Sequence, residues 1–448
     1  MTTDIIVAVA TAPGRSGIGV VRLSGPNLDE LVRRLAGRAL EARRATLTDF
    51  LGDTDEVIDR GIAIYFAAPQ SYTGEDVLEL QGHGGPVVMR RLVNRCVELG
   101  ARMAQPGEFT QRAYLNDRID LAQAEAVADL IEASTVQAAR SAVRSLQGEF
   151  SHRITALLRE LIDLRVLVEA TLDFPEEEID ALKQAGTEGR LGLLQQQVLS
   201  VLEASRQGSL LREGLHVVLI GQPNVGKSSL LNCLAGEDLA IVTSMPGTTR
   251  DAIRLSADVN GVPVHFVDTA GLRSSEDPVE KLGIARTWTV VEQADVALLM
   301  IDAVAGETAA DREILSRMPA GLPCIRVFNK IDLTGQEAEV IPEAHGSQVW
   351  LSARTGAGVD GLRQALLSLV GWEEGRSEGV YIARARHITA LNDTRAHLER
   401  AIAVGVAPHL ELLAEELRLA QDALGSITGE HTSDELLGEI FSRFCIGK

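Results

Sequence analysis

One eight-residue segment, Gly221-Gln-Pro-Asn-Val-Gly226-Lys227-Ser228, constrains the fold of this chain most strongly. It follows a mostly aliphatic run at 216–220 and precedes a helix-forming segment at 229–234, so the sequence predicts a strand, a loop and a helix in that order. Glycines let the loop turn its backbone N–H groups toward phosphate oxygens, and the N-terminus of the following helix adds positive potential. The pattern predicts an α/β domain that holds a nucleotide by its phosphates.

A second motif, Asn329-Lys330-Ile331-Asp332, indicates which nucleotide is held. It follows a mostly apolar segment at 323–328 that is typical of a buried parallel strand. A carboxylate just past such a strand, that of Asp332, can accept hydrogen bonds from N1–H and the exocyclic amine of guanine. Adenine offers neither donor, and an unpaired carboxylate would cost about 1–3 kcal/mol. The motif therefore predicts a guanine nucleotide.

Three further motifs occur in the order expected of a regulatory-type GTPase domain, which we predict at 214–373. They are Gly247-Thr-Thr-Arg-Asp251, Asp268-Thr-Ala-Gly271 after a predicted strand at 264–267, and Ser352-Ala-Arg354 after another at 347–351. Lys227 is expected to reach the β- and γ-phosphates, and the hydroxyls of Ser228 and Thr249 are expected to ligate Mg²⁺. Asp268 would support the Mg²⁺ site, and the Gly271 N–H would bind the γ-phosphate.

One departure from the usual GTPase pattern affects the mechanism. Many GTPases place glutamine directly after Asp-x-x-Gly, where it orients the attacking water. Here that position is Leu272, which can neither donate nor accept a hydrogen bond, so another group must position the water. Arg250 and Arg273 are candidate arginine fingers, but a solvated charge or a local salt bridge is the favoured interpretation of both.

Composition limits the remaining possibilities. At 448 residues the chain is too long for one core, and roughly two to four domains are expected. The four cysteines are scattered and no run of about 18 apolar residues is present, so neither a disulfide framework nor a membrane helix is expected. The first ten residues lack the basic start of a signal peptide. A cytoplasmic protein without a membrane partner is predicted.

The charge distribution bears on nucleic-acid binding. A formal net charge of −20 argues against broad, charge-driven binding. Arginines nevertheless cluster in a stretch with few acids, at Arg90, Arg91, Arg95, Arg102, Arg112 and Arg118. A solvated face is favoured over an RNA-binding patch, and the sequence leaves both open.

The sequence divides into regions with three kinds of residue pattern. Residues 1–118 contain short β-type runs separated by Gly and Pro residues, and a helix is predicted near 86–99. This combination predicts an α+β domain. Segments 119–213 and 374–448 have helical periodicity and flank the nucleotide fold. Because the termini of a domain usually lie close together, we predict a multidomain α/β and α protein with a Ras-like P-loop GTPase domain inserted into one helical domain.

Some short segments allow two interpretations. For the acidic run Glu176–Glu178, a charged helix N-terminus is favoured over a metal cluster. For His83 in the glycine-rich segment 82–85, turn formation is favoured over a catalytic role. The segment Gly14-Arg-Ser-Gly-Ile-Gly19 has the wrong glycine order for a dinucleotide fingerprint, and the C-terminal Cys445-Ile-Gly-Lys448 lacks the aliphatic third residue of a prenylation box.

Several long strings lie outside the nucleotide motifs. They are Ala12-Pro-Gly-Arg-Ser-Gly-Ile-Gly-Val-Val-Arg-Leu-Ser-Gly25, Thr73-Gly-Glu-Asp-Val-Leu-Glu-Leu-Gln-Gly-His-Gly-Gly85, Pro106-Gly-Glu-Phe109, Leu115-Asn-Asp117, Asp120-Leu-Ala-Gln-Ala-Glu-Ala126 and Phe444-Cys-Ile-Gly-Lys448. With these strings and the inserted GTPase segment, the chain resembles the MnmE (TrmE) family of tRNA-modification GTPases over essentially its whole length.

The resemblance implies a cofactor and an assembly. The N-terminal domain of the family binds a tetrahydrofolate derivative (5-formyl- or methylene-tetrahydrofolate) and forms a homodimer, which makes 1–118 an α+β folate-binding-like domain. By motif match, Arg22, Glu79, Arg118 and Lys448 fall on folate-contacting positions. Arg118 stands where Lys is also found, and both are cations.

For the GTPase domain the resemblance implies K⁺ and activation by dimerisation across the nucleotide face. Asn224, Thr243, Met245 and Thr248 match the K⁺ positions, and Glu280 matches the water-activating position that Leu272 cannot fill. With the motifs, this gives a GTP site of Asn224, Val225, Gly226, Lys227, Ser228, Ser229, Thr243, Ser244, Met245, Pro246, Gly247, Thr248, Thr249, Asp268, Thr269, Ala270, Gly271, Asn329, Lys330, Asp332, Ser352, Ala353 and Arg354.

The resemblance also implies a reaction. The family hydrolyses GTP to GDP and, with the FAD-dependent partner MnmG (GidA), adds an aminomethyl or carboxymethylaminomethyl group at C5 of the tRNA wobble uridine. Cys445 matches a cysteine once considered catalytic, and no role is assigned to it. Two other classes of GTPase are alternatives. A ribosome-assembly or signalling GTPase would carry a basic RNA-binding module, and an iron-transporter GTPase would carry membrane helices; the sequence has neither.

Overall fold

The structure is a computed structural model of the chain and describes residues 4–173, 186–235, 254–268, 288, 291–344, 346–372, 380–405, 409–430 and 434–447. The chain divides into two compact units. Unit 1 comprises Met1–Ile131, Ser145–Gln195 and Asp393–Lys448, and unit 2 comprises Glu132–Arg144 and Gln196–Asn392. Most of unit 2 is therefore inserted into the sequence of unit 1.

Unit 1 begins with a six-stranded sheet and three helices. In chain order these are β1 (Ile6–Val9), β2 (Ser16–Gly25), α1 (Asp29–Ala36), β3 (Thr46–Leu51), β4 (Val57–Phe66), β5 (Asp76–Gly84), α2 (Pro86–Glu98), β6 (Arg102–Met103) and α3 (Glu108–Leu115). The strand order is β3-β4-β5-β2-β1-β6, antiparallel except for the parallel β1–β6 pair. Apolar residues of the sheet pack with α1 and α2 in a buried core, for example Leu23, Leu78 and Leu92. The predicted α+β fold is confirmed.

The structure differs from the sequence interpretation at residues 82–85. The sequence favours a turn there, but residues 82–84 form the end of β5, and Gly85 directly precedes α2. The glycines allow close approach instead. A Cβ added at Gly84 would lie 2.0 Å from Ser16 Oγ, and one added at Gly61 on the neighbouring strand would lie 2.1 Å from the carbonyl oxygen of Gln81.

In the described part of the chain, four helices follow the first sheet: α4 (Leu121–Glu132), α5 (Val136–Leu146), α6 (Glu149–Asp173) and α7 (Thr187–Glu213). The helical periodicity of the sequence is explained by burial, because the predicted apolar stripe of α6 faces the interior. Its members are each at most 5% exposed, namely Leu157, Leu158, Leu161, Leu164 and Val168. The run Glu176–Glu178 lies outside the described residues.

Unit 2 contains a seven-stranded sheet with helices. In chain order its elements are β7 (Leu215–Gly221), α8 (Lys227–Ala235), β8 (Arg254–Val259), β9 (Val262–Asp268), β10 (Val296–Asp302), α9 (Ala309–Ser316), β11 (Cys324–Asn329), α10 (Ile331–Thr334), β12 (Glu339–Glu343), β13 (Gly346–Leu351) and α11 (Val359–Leu369). The strand order is β12-β13-β11-β10-β7-β9-β8; the five central strands are parallel and the two edge strands antiparallel. All four strands predicted next to nucleotide motifs are present, which confirms the Ras-like P-loop fold.

The last described elements are three helices, α12 (Ala385–Val404), α13 (Leu410–Gly425) and α14 (Asp434–Ser442). In unit 1, α13 packs along α6, and apolar residues of the C-terminal segment pack on α4, namely Leu437, Ile440, Phe441 and Phe444. The predicted capping residue Thr432 lies outside the described residues. No described helix is long and apolar enough to cross a membrane, and the four cysteines form no disulfide.

Candidate nucleotide site and N-terminal arginine cluster

The phosphate loop lies between β7 and α8, at the carboxyl end of a central parallel strand. Its backbone turns through positive φ at Asn224 (+62°) and Gly226 (+103°). The ammonium of Lys227 donates hydrogen bonds to the carbonyl oxygens of Gly221 (2.9 Å) and Gln222 (3.2 Å), so its charge is held over the loop. Ser228 and Ser229 are exposed in the first turn of α8. This arrangement suits an anion at the helix N-terminus.

Asn329 connects three of the predicted nucleotide motifs. It is buried at the end of β11, and its side-chain amide donates to the carbonyl oxygen of Val225 (2.8 Å) while accepting from the backbone N–H of Ala353 (2.9 Å). A Cβ added at Gly226 would lie 2.2 Å from the Asn329 amide nitrogen, so glycine is needed at this contact. The phosphate loop and the two guanine motifs are thus fixed to one another by one side chain.

The predicted guanine end of the site is also preorganised. The exposed carboxylate of Asp332 accepts a hydrogen bond from the buried hydroxyl of Ser352 (2.7 Å), which orients it. Lys330 adopts positive φ (+74°), and its ammonium lies 2.7 Å from the carboxylate of Asp302 at the end of β10. The hydrogen bond from Lys330 is the main cause that lowers the pKa of Asp302 below its ordinary value. Arg354 is exposed.

Sequence reasoning did not identify Asp302 as part of this site. The available signal was its position, because it follows an apolar strand, β10, that runs parallel to β7 and β11. Since the carboxyl ends of parallel strands meet at one edge of a sheet, an acidic residue at such an end is expected near the nucleotide.

Part of the predicted GTP site lies outside the described residues. This applies to Thr243, Ser244, Met245, Pro246, Gly247, Thr248, Thr249, Thr269, Ala270, Gly271 and Glu280, to Arg250, Leu272 and Arg273, and to the side chain of Asp268. Their roles stay predictions. Among the described residues no group of three or more His, Cys, Asp or Glu side chains could hold a metal ion. A Mg²⁺ ion held by hydroxyls and phosphate oxygens does not require such a group, and the exposed Ser228 hydroxyl fits that donor set.

The predicted folate residues Arg22 and Glu79 lie together in the N-terminal sheet. They face each other on β2 and β5, and Arg22 Nε donates to Glu79 Oε1 at 2.9 Å. The guanidinium carbon lies 5.9 Å from the ring centres of both Tyr72 and Phe109, within the range of cation–π contact. The same guanidinium donates to the carbonyl oxygen of Gly447 (3.4 Å), which brings the C-terminal segment to the cluster.

The other two predicted folate residues are placed differently. Arg118 is exposed, and its side-chain stem lies beside Gly74, 3.3 Å from a Cβ added there. Lys448 lies outside the described residues. Sequence reasoning missed Tyr72, Phe109 and Gly447, although each lies within or directly beside one of the long strings. A tyrosine and a phenylalanine next to an arginine are not visible as a cluster in a linear sequence. Burial raises the pKa of Tyr72, which keeps its hydroxyl neutral.

Most of the arginine-rich stretch from 90 to 118 is neutralised. Arg91 pairs with Glu56 (3.0 Å) and Arg95 with Asp53 (3.1 Å), so acids of the β3–β4 region supply the counter-charges that the stretch lacks. Arg102 and Arg112 are both bound by Glu108. These pairs favour a structural role for the four arginines over an RNA-binding patch.

The chain is similar to known proteins over its whole length. The family model for the MnmE helical domain matches residues 121–445, and that for the GTP-binding protein TrmE N-terminus matches residues 5–118. The tRNA modification GTPase MnmE of Nitrosomonas europaea is 58% identical over 449 residues and that of Dechloromonas aromatica 58% over 450; in both cases all of this chain and all of the relative are covered.

Solved structures match parts of the chain. Aquifex aeolicus Era Y63A bound to GDP.AlF4⁻ is 28% identical with a TM-score of 0.29, covering 41% of this chain and 66% of Era. The G domain of the T. maritima FeoB iron transporter is 26% identical with a TM-score of 0.27, covering 35% of this chain and 98% of that domain. Such low TM-scores do not establish a shared fold, which here follows from the strand order and the family matches.

Proposed function

The chain belongs to the MnmE family of tRNA modification GTPases, and from that premise we propose that it hydrolyses GTP to GDP to drive the modification of tRNA. It is a P-loop GTP hydrolase. The observation that carries the proposal is the pair of Asn329 hydrogen bonds, to Val225 and Ala353, which join the phosphate loop to the guanine motifs. If the chain resembled a GTPase only in short sequence strings, these segments would not be expected to contact one another in the fold.

The described residues support a distinct role for each side chain of the nucleotide site. Lys227 would exchange its bonds to the loop carbonyls for the β- and γ-phosphates, while the loop N–H groups bind the same oxygens. Asp332, oriented by Ser352, would accept both guanine donors, and Lys330, held by Asp302, would flank the base. Mg²⁺, which the family uses, would be held by Ser228 and Thr249 and would offset negative charge on the phosphates.

We also propose that hydrolysis requires two GTPase domains and K⁺. Asn224, exposed on the loop, carries an amide oxygen of the kind K⁺ accepts, and Thr243, Met245 and Thr248 would complete the site. A monovalent cation there would supply the charge that an arginine finger provides elsewhere. Glu280 would position the water, because Leu272 cannot. The homodimer brings the two nucleotide faces together.

The N-terminal cluster supports a tetrahydrofolate site as a further part of the proposal. Arg22 offers a cation between two aromatic rings, and Glu79 offers a carboxylate, a donor set that fits the polar pterin ring and its acidic tail. Arg118 and Lys448 would add cations. When bound, the folate supplies the one-carbon unit; with MnmG, the FAD-dependent partner, this chain would attach it at C5 of the wobble uridine.

Mass spectrometry of wobble nucleosides tests the proposed function. Cells that lack this chain should lose the C5-modified uridine and regain it with the full-length chain, but not with Lys227→Ala, which removes the phosphate-binding ammonium. Unchanged nucleosides in the deletion strain would refute the modification activity. Full recovery with Lys227→Ala would show that modification does not need bound GTP.

A further inference from the structure

An imidazole–carboxylate pair at the end of β5 takes no part in the sites above. His83 Nδ1 lies 2.8 Å from Asp59 Oδ1, and the backbone N–H of His83 donates to Asp59 Oδ2 at 2.7 Å. The backbone N–H of Arg60 also donates to Asp59 Oδ1, at 2.8 Å. The Asp59 side chain is only 10% exposed, whereas that of His83 is 76% exposed. A half-buried carboxylate with three donors thus holds an imidazole that faces solvent.

These contacts fix the tautomer of the ring. An ionised carboxylate only accepts hydrogen bonds, so Nδ1 of His83 must carry the hydrogen. Burial alone would raise the pKa of Asp59, but hydrogen bonds from the backbone and ring of His83 and from the backbone of Arg60 outweigh it and lower that pKa. Asp59 is therefore ionised at neutral pH. In the neutral ring Nε2 then bears the lone pair, as in a carboxylate-oriented general base.

The glycines around His83 are required by this geometry. A Cβ added at Gly82 would lie 2.4 Å from Asp59 Oδ2, and one added at Gly84 would lie 2.0 Å from Ser16 Oγ. Any side chain at either position would displace the carboxylate or the neighbouring strand. The Gly-His-Gly order therefore permits the pair. Packing of the His83 side chain does not explain why the Gly-His-Gly order is present, because that side chain buries little surface.

His83 lies on the same strand as Glu79 of the proposed cofactor cluster. His83 follows Glu79 by four residues on β5, which corresponds to about 13 Å along the strand. The elements that neighbour β5 also carry charged groups. On β4, Arg60 lies 3.6 Å from Asp49 of β3; on α2, Arg91 pairs with Glu56; and Arg15 is exposed in the segment before β2.

We propose that His83, positioned by Asp59, is a proton-transfer residue of the uridine modification. The inference rests on the proposed function. When a carbon is attached at C5, the π electrons of the C5–C6 double bond form the new C–C bond, and one C–N bond that held the carbon to its folate donor breaks and leaves its electron pair on the nitrogen. The C5–H bond then breaks, its electron pair restores the ring double bond, and the proton passes to Nε2 of His83 and on to water. This proton step needs no oxidant or reductant.

The first test compares His83→Ala with His152→Ala, the same change at an exposed histidine on α6. With the full-length chain and its FAD-dependent partner, His83→Ala should slow modification about 100-fold, the scale of a lost general base. GTP turnover, tetrahydrofolate affinity and the midpoint of thermal unfolding should stay unchanged. Added imidazole should restore part of the rate, with a pH profile that follows its own ionisation. Asp59→Asn should lower the rate less and shift the pH profile.

The second test does not depend on activity. In the full-length chain labelled with ¹⁵N-histidine, the resonances lost in His83→Ala identify that ring, and they should report the Nδ1–H tautomer. Asp59→Asn should produce a mixture of tautomers. A single Nε2–H tautomer in the unaltered chain would overturn the assignment of the base.

The outcomes separate this inference from the proposed function. If His83→Ala modifies tRNA at the full rate, the inference fails and the proposed function stands. If it loses modification together with folate affinity and thermal stability, and imidazole restores nothing, the role of His83 is structural and the inference also fails. If neither the unaltered chain nor His152→Ala modifies tRNA, the proposed function itself fails.

Discussion

At the scale of single residues, base selection depends on the carboxylate of Asp332. Its orientation by Ser352 prepares it for two guanine donors. Asp332→Asn should weaken GTP binding about tenfold or more, because the amide cannot accept both donors. The same variant should gain affinity for xanthosine triphosphate, whose carbonyl replaces the guanine amine and can accept from the new N–H. Fluorescence titration with each nucleotide measures the two affinities.

A matched variant serves as the control for base selection. Asp360 is a highly exposed aspartate of the same unit and pairs with Arg363 on its own helix. Asp360→Asn removes the same charge and should leave both affinities unchanged. Equal GTP affinity for Asp332→Asn and the unaltered chain would contradict the assigned role.

Glu108 determines how one ionic cluster responds to acid. Its carboxylate binds Arg102 through two hydrogen bonds (2.5 and 2.9 Å) and the buried Arg112 through one (3.2 Å). Burial alone would raise the pKa of Glu108, but the hydrogen bonds from Arg102, the Gln105 backbone and Arg112 lower it below its ordinary value. A depressed acid pKa contributes stability above the ordinary value, about pH 4.3, and loses it as the pH falls through the folded value.

Glu108→Gln should therefore destabilise unit 1 by about 1.5–3 kcal/mol at neutral pH, the value of a charge-assisted hydrogen bond. Its loss of stability on acidification should also be shallower, since one titrating group is gone. Urea unfolding between pH 3 and pH 7 measures both effects. Glu41→Gln removes an exposed partner of Arg44 and should leave the unfolding midpoint unchanged. Identical acid profiles for Glu108→Gln and the unaltered chain would refute this account.

At the scale of elements, the sequence was sufficient to predict a strand where an apolar run is followed directly by a nucleotide-binding motif. Strands β7, β9, β11 and β13 were predicted because an apolar run ends at a recognisable motif in each. Contacts distant in sequence were not predictable in this way. Asp59 and His83 are 24 residues apart on neighbouring strands, and Arg22 meets Gly447 across 425 residues. The turn expected at 82–85 was wrong, because glycine marks both turns and close strand contacts.

The docking of the C-terminal segment on α3 can be tested at Gly107. This residue has φ +68°, and its N–H donates to the carbonyl oxygen of Cys445 (3.3 Å). A Cβ added there would lie 2.6 Å from the carbonyl oxygen of Phe441 and 2.9 Å from Phe444 Cβ. Gly107→Ala should displace the segment that places Gly447 on Arg22 and weaken 5-formyl-tetrahydrofolate binding by about tenfold. Calorimetry measures the affinity.

A second glycine variant shows whether the effect is specific. Gly189 lies in α7, and a Cβ added there would meet no atom within 4 Å. Gly189→Ala should leave folate affinity unchanged and leave stability equal or slightly higher, since alanine favours a helix. Undiminished folate affinity in Gly107→Ala would show that the C-terminal segment does not contribute to the site.

At the scale of the whole molecule, GTP hydrolysis should depend on the encounter of two chains. If K⁺ and Glu280 complete the site only when two GTPase domains meet, turnover per chain should rise with protein concentration and fall strongly when Na⁺ replaces K⁺. Glu280→Ala should lower turnover about 100-fold without weakening nucleotide binding, because the water loses its base. Glu292→Ala, an exposed glutamate of the same unit, should behave like the unaltered chain. GTP turnover per chain that changes neither with protein concentration nor on replacement of K⁺ by Na⁺ would refute the dimer mechanism, since a single chain would then hold every group that hydrolysis needs.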